Sequence, residues 1–90
     1  MILYDIYQEK CLKLIEAIKR AKTSGAKAAY EMACYDLADY KVEYYSQFEN
    51  RYTECSKLGK FYADQLGVAL RERADVVDQL HELGVEISEK

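Results

Sequence analysis

One periodic pattern constrains this chain more than any other feature of its sequence. From Tyr30 to Leu83, positions suited to one helix face recur at intervals of three and four residues. The intervals alternate except for one stutter, where two intervals of four follow each other at Tyr44, Phe48 and Tyr52. No proline interrupts the 90 residues, and a half-buried β-strand would instead need alternation at every second position. The sequence therefore predicts an all-α protein, a helical bundle of two or three long helices with coiled-coil-like packing. The seam comprises Tyr30, Cys34, Leu37, Lys41, Tyr44, Phe48, Tyr52, Cys55, Gly59, Tyr62, Leu66, Ala69, Arg73, Val76, Leu80 and Leu83.

Helix boundaries follow from the residues that break this pattern. Thr23, Ser24 and Gly25 offer a hydroxyl cap and a glycine that can take a positive φ, and weak helix formers cluster between residues 50 and 59. We expect one domain over residues 1–84, with helices near 2–22, 26–57 and 60–83 and a frayed tail at 85–90. The alternative is one continuous helix over 26–83, which could bury its seam only against another copy.

The end of the last predicted helix carries a local stop signal. Gly84 follows Leu83 and can adopt the left-handed conformation, while Val85 can pack back on Leu80. This combination predicts a Schellman cap.

The size of the chain points to self-association. At 10.4 kDa, a chain that packs alone buries only about 64% of its unfolded surface. That is a marginal core, so we expect dimerisation to complete the bundle.

Tyrosine supplies most of the aromatic surface, with nine tyrosines against two phenylalanines and no tryptophan. Tyrosine is enriched at protein interfaces because it combines a large contact area with a polar tip. The seam, its flanks and a second apolar stripe on the opposite helix face therefore form the candidate partner or oligomer interface. Its residues are Tyr30, Met32, Tyr35, Leu37, Tyr40, Tyr44, Tyr45, Phe48, Tyr52, Phe61 and Tyr62.

Charge is unevenly distributed along the chain. The net charge is −3 with a pI near 5.1, which argues against a dedicated nucleic-acid binder. Residues 1–30 nevertheless carry a net +3 and residues 31–90 a net −6, a division that predicts pairing between helices or subunits. The candidate nucleic-acid contact is Lys19, Arg20, Lys22 and Lys27.

Two further groups of charged residues require an explanation. Lys41 and Arg73 occupy seam positions, where they must be paired, extend to water along neighbouring tyrosines, or fix helix register. Two acidic rows share one spacing, and each is a solvated face, a cation site or an imitation of DNA phosphates. The rows are Asp36, Asp39 and Glu43, and Asp75, Asp78 and Glu82.

The sequence shows no motif that would support catalysis or cofactor binding. His81 is the only histidine, and Gly-rich phosphate loops, Gly-x-Ser-x-Gly and His-Glu-x-x-His are absent. Cys11, Cys34 and Cys55 form no Cys-x-x-Cys pair, so we predict small buried thiols and neither a disulfide framework nor a metal site. The N-terminus lacks signal-peptide features and no apolar run approaches the ~20 residues of a membrane span, which predicts a cytoplasmic protein.

Together these features predict a non-enzymatic protein-interaction module. It would associate with itself, most simply as a homodimer, and bind another protein as an adaptor or inhibitor of the type carried by phages and mobile elements. Two alternatives remain open from sequence. One is a small DNA- or RNA-binding dimer using the basic turn at 19–27, and the other is an acidic DNA-mimic inhibitor.

Overall fold

The computed structural model describes residues 1–49 and 57–87, and these residues contain three helices and no strand. The helices are α1 (Tyr4–Ser24), α2 (Lys27–Ser46) and α3 (Lys57–Glu82). The prediction of an all-α helical bundle is confirmed. Within the described ranges, no helix combines the length and apolar character needed to cross a bilayer.

Helix α2 is the central element and packs against both other helices. Tyr7, near the start of α1, stacks on Tyr44 near the end of α2. Tyr62, near the start of α3, stacks on Phe48 just after α2, and Arg73 farther along α3 binds Asp39 in the middle of α2. Both neighbours therefore run antiparallel to α2 and roughly parallel to each other. No α-carbon of α1 lies within 8 Å of one in α3. The three helices form a single layer of 44 × 25 × 19 Å instead of a closed bundle.

The turn between α1 and α2 depends on Gly25, which has a φ of 77°. Its N–H bonds to the carbonyl of Lys22 and closes α1. Thr23 and Ser24 donate their hydroxyls back to carbonyls of α1, at 2.9 and 2.7 Å. The prediction that a hydroxyl of Thr23 or Ser24 caps the next helix is therefore wrong. The N-cap of α2 is Ala26, which makes no side-chain capping bond.

Helix α2 ends at Ser46, well before the predicted boundary at residue 57. Residues 47–49 form a turn, and α3 packs back on α2, so the alternative of one continuous helix over 26–83 is also wrong. Gln47 supplies a physical reason for the early end. Its amide accepts the N–H of Ile2 at 2.8 Å and donates to the carbonyl of Ile2 at 2.9 Å. The predicted helical residues 50–56 lie outside the described part of the chain.

The buried residues come from all three helices and from the turn that follows α2. Most of them belong to α2 and α3, whereas Tyr7 is the contribution of α1 among the described residues. Leu80 is the most deeply buried large side chain, with an exposed fraction of 0%. The buried set is Tyr7, Ala38, Tyr40, Tyr44, Phe48, Gly59, Leu66, Ala69, Val77 and Leu80.

The C-terminal end of α3 confirms the predicted Schellman cap. Gly84 has a φ of 80°, the N–H of Val85 bonds to the carbonyl of Leu80 at 2.9 Å, and the N–H of Gly84 bonds to the carbonyl of His81 at 3.0 Å. These are the two bonds that define the motif. Residues 85–87 follow it without regular structure, and residues 88–90 of the predicted tail lie beyond the described range.

Two glycine substitutions are expected to change stability in opposite directions. Gly84→Ala forces an L-residue into the left-handed region and should lower the free energy of unfolding by about 1–2 kcal/mol. Gly67 lies inside α3, and a Cβ built there meets no atom within 4 Å. Gly67→Ala should therefore raise the free energy of unfolding by about 0.5–1 kcal/mol. Urea unfolding followed by circular dichroism measures both, and a shared sign would contradict this account.

Candidate functional site

An aromatic cluster joins the three helices at one end of the layer. The rings of Tyr7 and Tyr44 stack with centroids 3.8 Å apart, and Phe48 stacks on Tyr62 of α3 at 4.0 Å. Tyr40 and Tyr45 complete the cluster, at 5.7 and 5.9 Å from the ring of Tyr7. Tyr44 contacts both Tyr7 of α1 and Phe48, and Phe48 stacks on Tyr62 of α3. The cluster therefore connects α1 and α3 to opposite sides of α2.

A groove lies between α1 and α3, with α2 as its floor. It is open to solvent, has a volume of about 510 Å³, and we call it the α1–α3 groove. It exists because the backbones of the two outer helices stay apart, with no α-carbons within 8 Å of each other. Its lining residues are Tyr4, Tyr7, Gln8, Cys11, Leu12, Lys41, Tyr44, Tyr45, Phe61 and Tyr62.

The rims of the groove expose large apolar side chains to water. Tyr4 is 58% exposed, Leu12 64% and Phe61 50%. Ile15 lies one turn beyond Cys11, and Val68 lies two turns beyond Phe61, so both continue these rims. Both are also exposed. Apolar rims above an aromatic floor are typical of a surface that binds another protein.

The structure distributes the predicted interface residues over three environments. Tyr40, Tyr44 and Phe48 are buried in the chain's own core, so a partner could contact little of their surface. Tyr44, Tyr45, Phe61 and Tyr62 line the groove, whereas Met32 and Tyr35 lie on the opposite face of α2, by helical periodicity. Tyr30 and Leu37 are half-buried on the groove side of α2, and Tyr52 lies outside the described residues.

The two seam cations form ion pairs between α2 and α3. Arg73 donates to Asp39 at 2.9 Å, and the ammonium of Lys41 lies 3.8 Å from a carboxylate oxygen of Glu72. All four side chains are partly exposed, so each pair contributes about 0–1 kcal/mol. A cation–π contact is made by Lys10, whose Nζ lies 4.3 Å from the ring centroid of Tyr40. The pairs at Asp39 and Glu72 thus help to set the register of α3 on α2.

The acidic row of α2 lies on the face away from the groove. Burial, and then the neighbouring Asp39, raise the pKa of Asp36 above its usual value. Asp39 forms an ion pair with Arg73. Among the described residues, no group of three or more metal-ligating side chains could hold an ion.

The basic residues predicted as a nucleic-acid contact surround the turn at Gly25. Lys19, Arg20, Lys22 and Lys27 are all exposed. Arg20 lies on a different side of α1 from Lys19 and Lys22, since the latter two continue the groove rim beyond Ile15. The four charges are therefore close along the chain but do not share one face.

Two of the three cysteines fall within the described residues, and both are half-buried free thiols. Burial raises the pKa of Cys34, which lowers the fraction present as the reactive thiolate. Cys11 lies in the wall of the α1–α3 groove. Cys55 is outside the described part of the chain.

Sequence reasoning missed the contribution of α1 to the groove. The α1 residues that line it, Tyr4, Tyr7, Gln8, Cys11 and Leu12, were not among the predicted interface residues. An available signal was Leu12, a large apolar residue three positions before Ile15 and on the same side of the helix.

Burial of the tyrosines predicts a loss of stability at alkaline pH. Desolvation is the largest cause that raises the pKa of Tyr7, Tyr40 and Tyr44 above the usual 10.0. The folded state therefore holds these protons where the unfolded chain releases them. Stability should be fully present below about pH 10 and fall above it. Urea midpoints measured at increasing pH test this, and Tyr7→Phe should reduce the slope; a flat profile would exclude the effect.

Comparison with known proteins adds no functional assignment. No family model, curated protein or solved structure matches the chain. The candidate site therefore stands on its own geometry.

Proposed function

We propose that this chain is a non-enzymatic protein-interaction module that uses the α1–α3 groove to bind a helix of another polypeptide. The observation that carries the proposal is the single layer, because it leaves an open groove in which half-buried Tyr45 lies between rims that expose Leu12 and Phe61. A helix laid in such a groove buries apolar surface, which contributes about 25 cal/mol per Å².

The chemistry of the groove supports protein binding over small-molecule turnover. Its polar groups are tyrosine hydroxyls, Gln8 and the Lys41–Glu72 ion pair, set among apolar rims. Among the described residues, Cys11 is the one thiol in its lining, and no histidine lies there to act as its base. This composition resembles the aromatic-rich centre of a protein interface.

The opposite face of the layer supports a role as an adaptor or inhibitor. There α2 exposes Asp36 and Glu43 beside the exposed Met32, while the half-buried Asp39 is paired with Arg73. A cytoplasmic module that self-associates through its groove would keep this face free for a foreign protein with a basic surface.

Site-specific photo-crosslinking in the source cells tests the proposal. A benzophenone amino acid replaces Phe61 in the groove rim, and a matched variant carries it at Lys13, which is exposed on the far side of α1. We expect the groove position to give discrete adducts, whether with a second copy or with another protein. The control position should not give the same adducts.

Both positions are exposed, but only Phe61 lies at the groove. Comparing them therefore distinguishes binding in the groove from nonspecific association. Equal adduct formation at both positions, or no discrete adduct at Phe61, would contradict the proposal. Chain folding is checked beforehand by the circular dichroism spectrum of each variant.

A further inference from the structure

We propose that the occupant of the α1–α3 groove is a second copy of this chain, seated face to face so that α1 of each copy covers α3 of the other. This inference rests on the proposed function and adds the identity and orientation of the partner. The product is a two-layer bundle of six helices related by a twofold axis along the groove.

The exposed area of the chain matches what such a dimer requires. A compact protein of 10.4 kDa exposes roughly 5,400 Å². This chain exposes 6544 Å², an excess of about 1,100 Å² over that expectation. A stable interface buries about 800 Å² on each partner. The excess is therefore large enough to be removed by one copy packing on another.

The charges of the two outer helices select the orientation. α1 carries five basic and three acidic residues, and the stretch of α3 from Arg71 to Glu82 carries two basic and four acidic ones. Facing α1 against the other copy's α1 would oppose two positive helices. Facing α1 against the other copy's α3 brings opposite charges together, which is the electrostatically favoured choice.

The positions of these charges fit the same orientation. Lys19 and Lys22 continue the α1 rim beyond Ile15, and Asp75 and Gln79 continue the α3 rim beyond Val68. Since α1 and α3 both run antiparallel to α2, their C-terminal ends lie at the same end of the layer. A twofold axis along the groove keeps those ends together and brings Lys19 and Lys22 of one copy to Asp75 of the other.

Charge reversal tests both the partner and the orientation. One variant carries Lys19→Glu and Lys22→Glu, and the other carries Asp75→Lys and Gln79→Lys; neither touches the Lys41–Glu72 pair. Each variant alone opposes like charges at both symmetric contacts, so we expect dimer dissociation constants raised about tenfold or more. Mixed in equal amounts, the two variants should restore dimerisation and form the heterodimer preferentially, as measured by native mass spectrometry.

The matched control is Arg20→Glu, which reverses a charge in the same turn of α1 but away from the rim. It should dimerise like the wild type. Variants that dimerise unchanged, or a mixture that shows no preference for the heterodimer, would overturn the orientation. A wild-type chain that stays monomeric while Phe61 crosslinks to a different protein would overturn the second copy as occupant and leave the proposed function standing. Absence of any adduct at Phe61 would contradict both the proposed function and the second copy as occupant.

Discussion

Replacing Tyr44 by alanine is expected to cost more stability than any other change in the aromatic cluster. Tyr44 is 5% exposed, stacks on Tyr7 at 3.8 Å and meets Tyr45 and Phe48 edge-on at 5.1 and 5.2 Å. Removing a buried aromatic side chain costs about 3–5 kcal/mol. Because small domains have only about 5–15 kcal/mol in total, Tyr44→Ala should lose a large part of its folded population at ambient temperature.

Urea unfolding followed by circular dichroism measures this loss. Tyr44→Phe is the matched control, since it keeps the ring contacts and removes only the hydroxyl, and it should stay within about 1 kcal/mol of the wild type. A Tyr44→Ala midpoint equal to that of the wild type would show that the ring cluster does not hold the helices together.

Leu80→Ala is expected to have an effect of similar size at the other end of the layer. Leu80 is 0% exposed, and its carbonyl also accepts the N–H of Val85 in the Schellman cap. Truncating a fully buried leucine costs about 2–5 kcal/mol. Leu83→Ala removes the same atoms three residues later from a side chain that is 38% exposed. It should cost less than about 1 kcal/mol.

The same unfolding measurement compares the two leucine variants. The cost at Leu80 should exceed the cost at Leu83 by a factor of two or more, because cavity formation requires burial on all sides. Equal costs would place Leu80 on the surface and contradict the packing of α3 on α2.

The fold class was readable from sequence because helix periodicity is a local property. The seam of α3 illustrates this, since Leu66, Ala69 and Leu80 are all buried as their spacing predicts. The Schellman cap was readable for the same reason, because it depends on Gly84 and its immediate neighbours.

The end of α2 was predicted too late because it depends on contacts distant in sequence. Gln47, Phe48 and Glu49 have no strong helix-breaking character, yet the chain leaves the helix at Ser46. Gln47 binds the backbone of Ile2, 45 residues away, and Phe48 stacks on Tyr62 of α3. Helix propensity depends on each residue and its near neighbours, so it could predict neither contact.

The groove was predicted only in part, since periodicity shows which face of a helix is apolar but not which element covers it. Tyr44, Tyr45, Phe61 and Tyr62 were recognised as candidate interface residues, and they line the groove. The separation of α1 from α3 is a property of packing. The packing of α1 on α2 places Leu12 at a rim of the groove and Tyr40 in the core.

Light scattering coupled to size-exclusion chromatography tests the central claim most directly, namely that a second copy covers the open face of α2. At protein concentrations of about 10–100 micromolar, where typical self-associating proteins are assembled, the account predicts a mass of twice 10.4 kDa. A mass of 10.4 kDa across that range would contradict it, because the apolar rims of the groove would then stay exposed in solution.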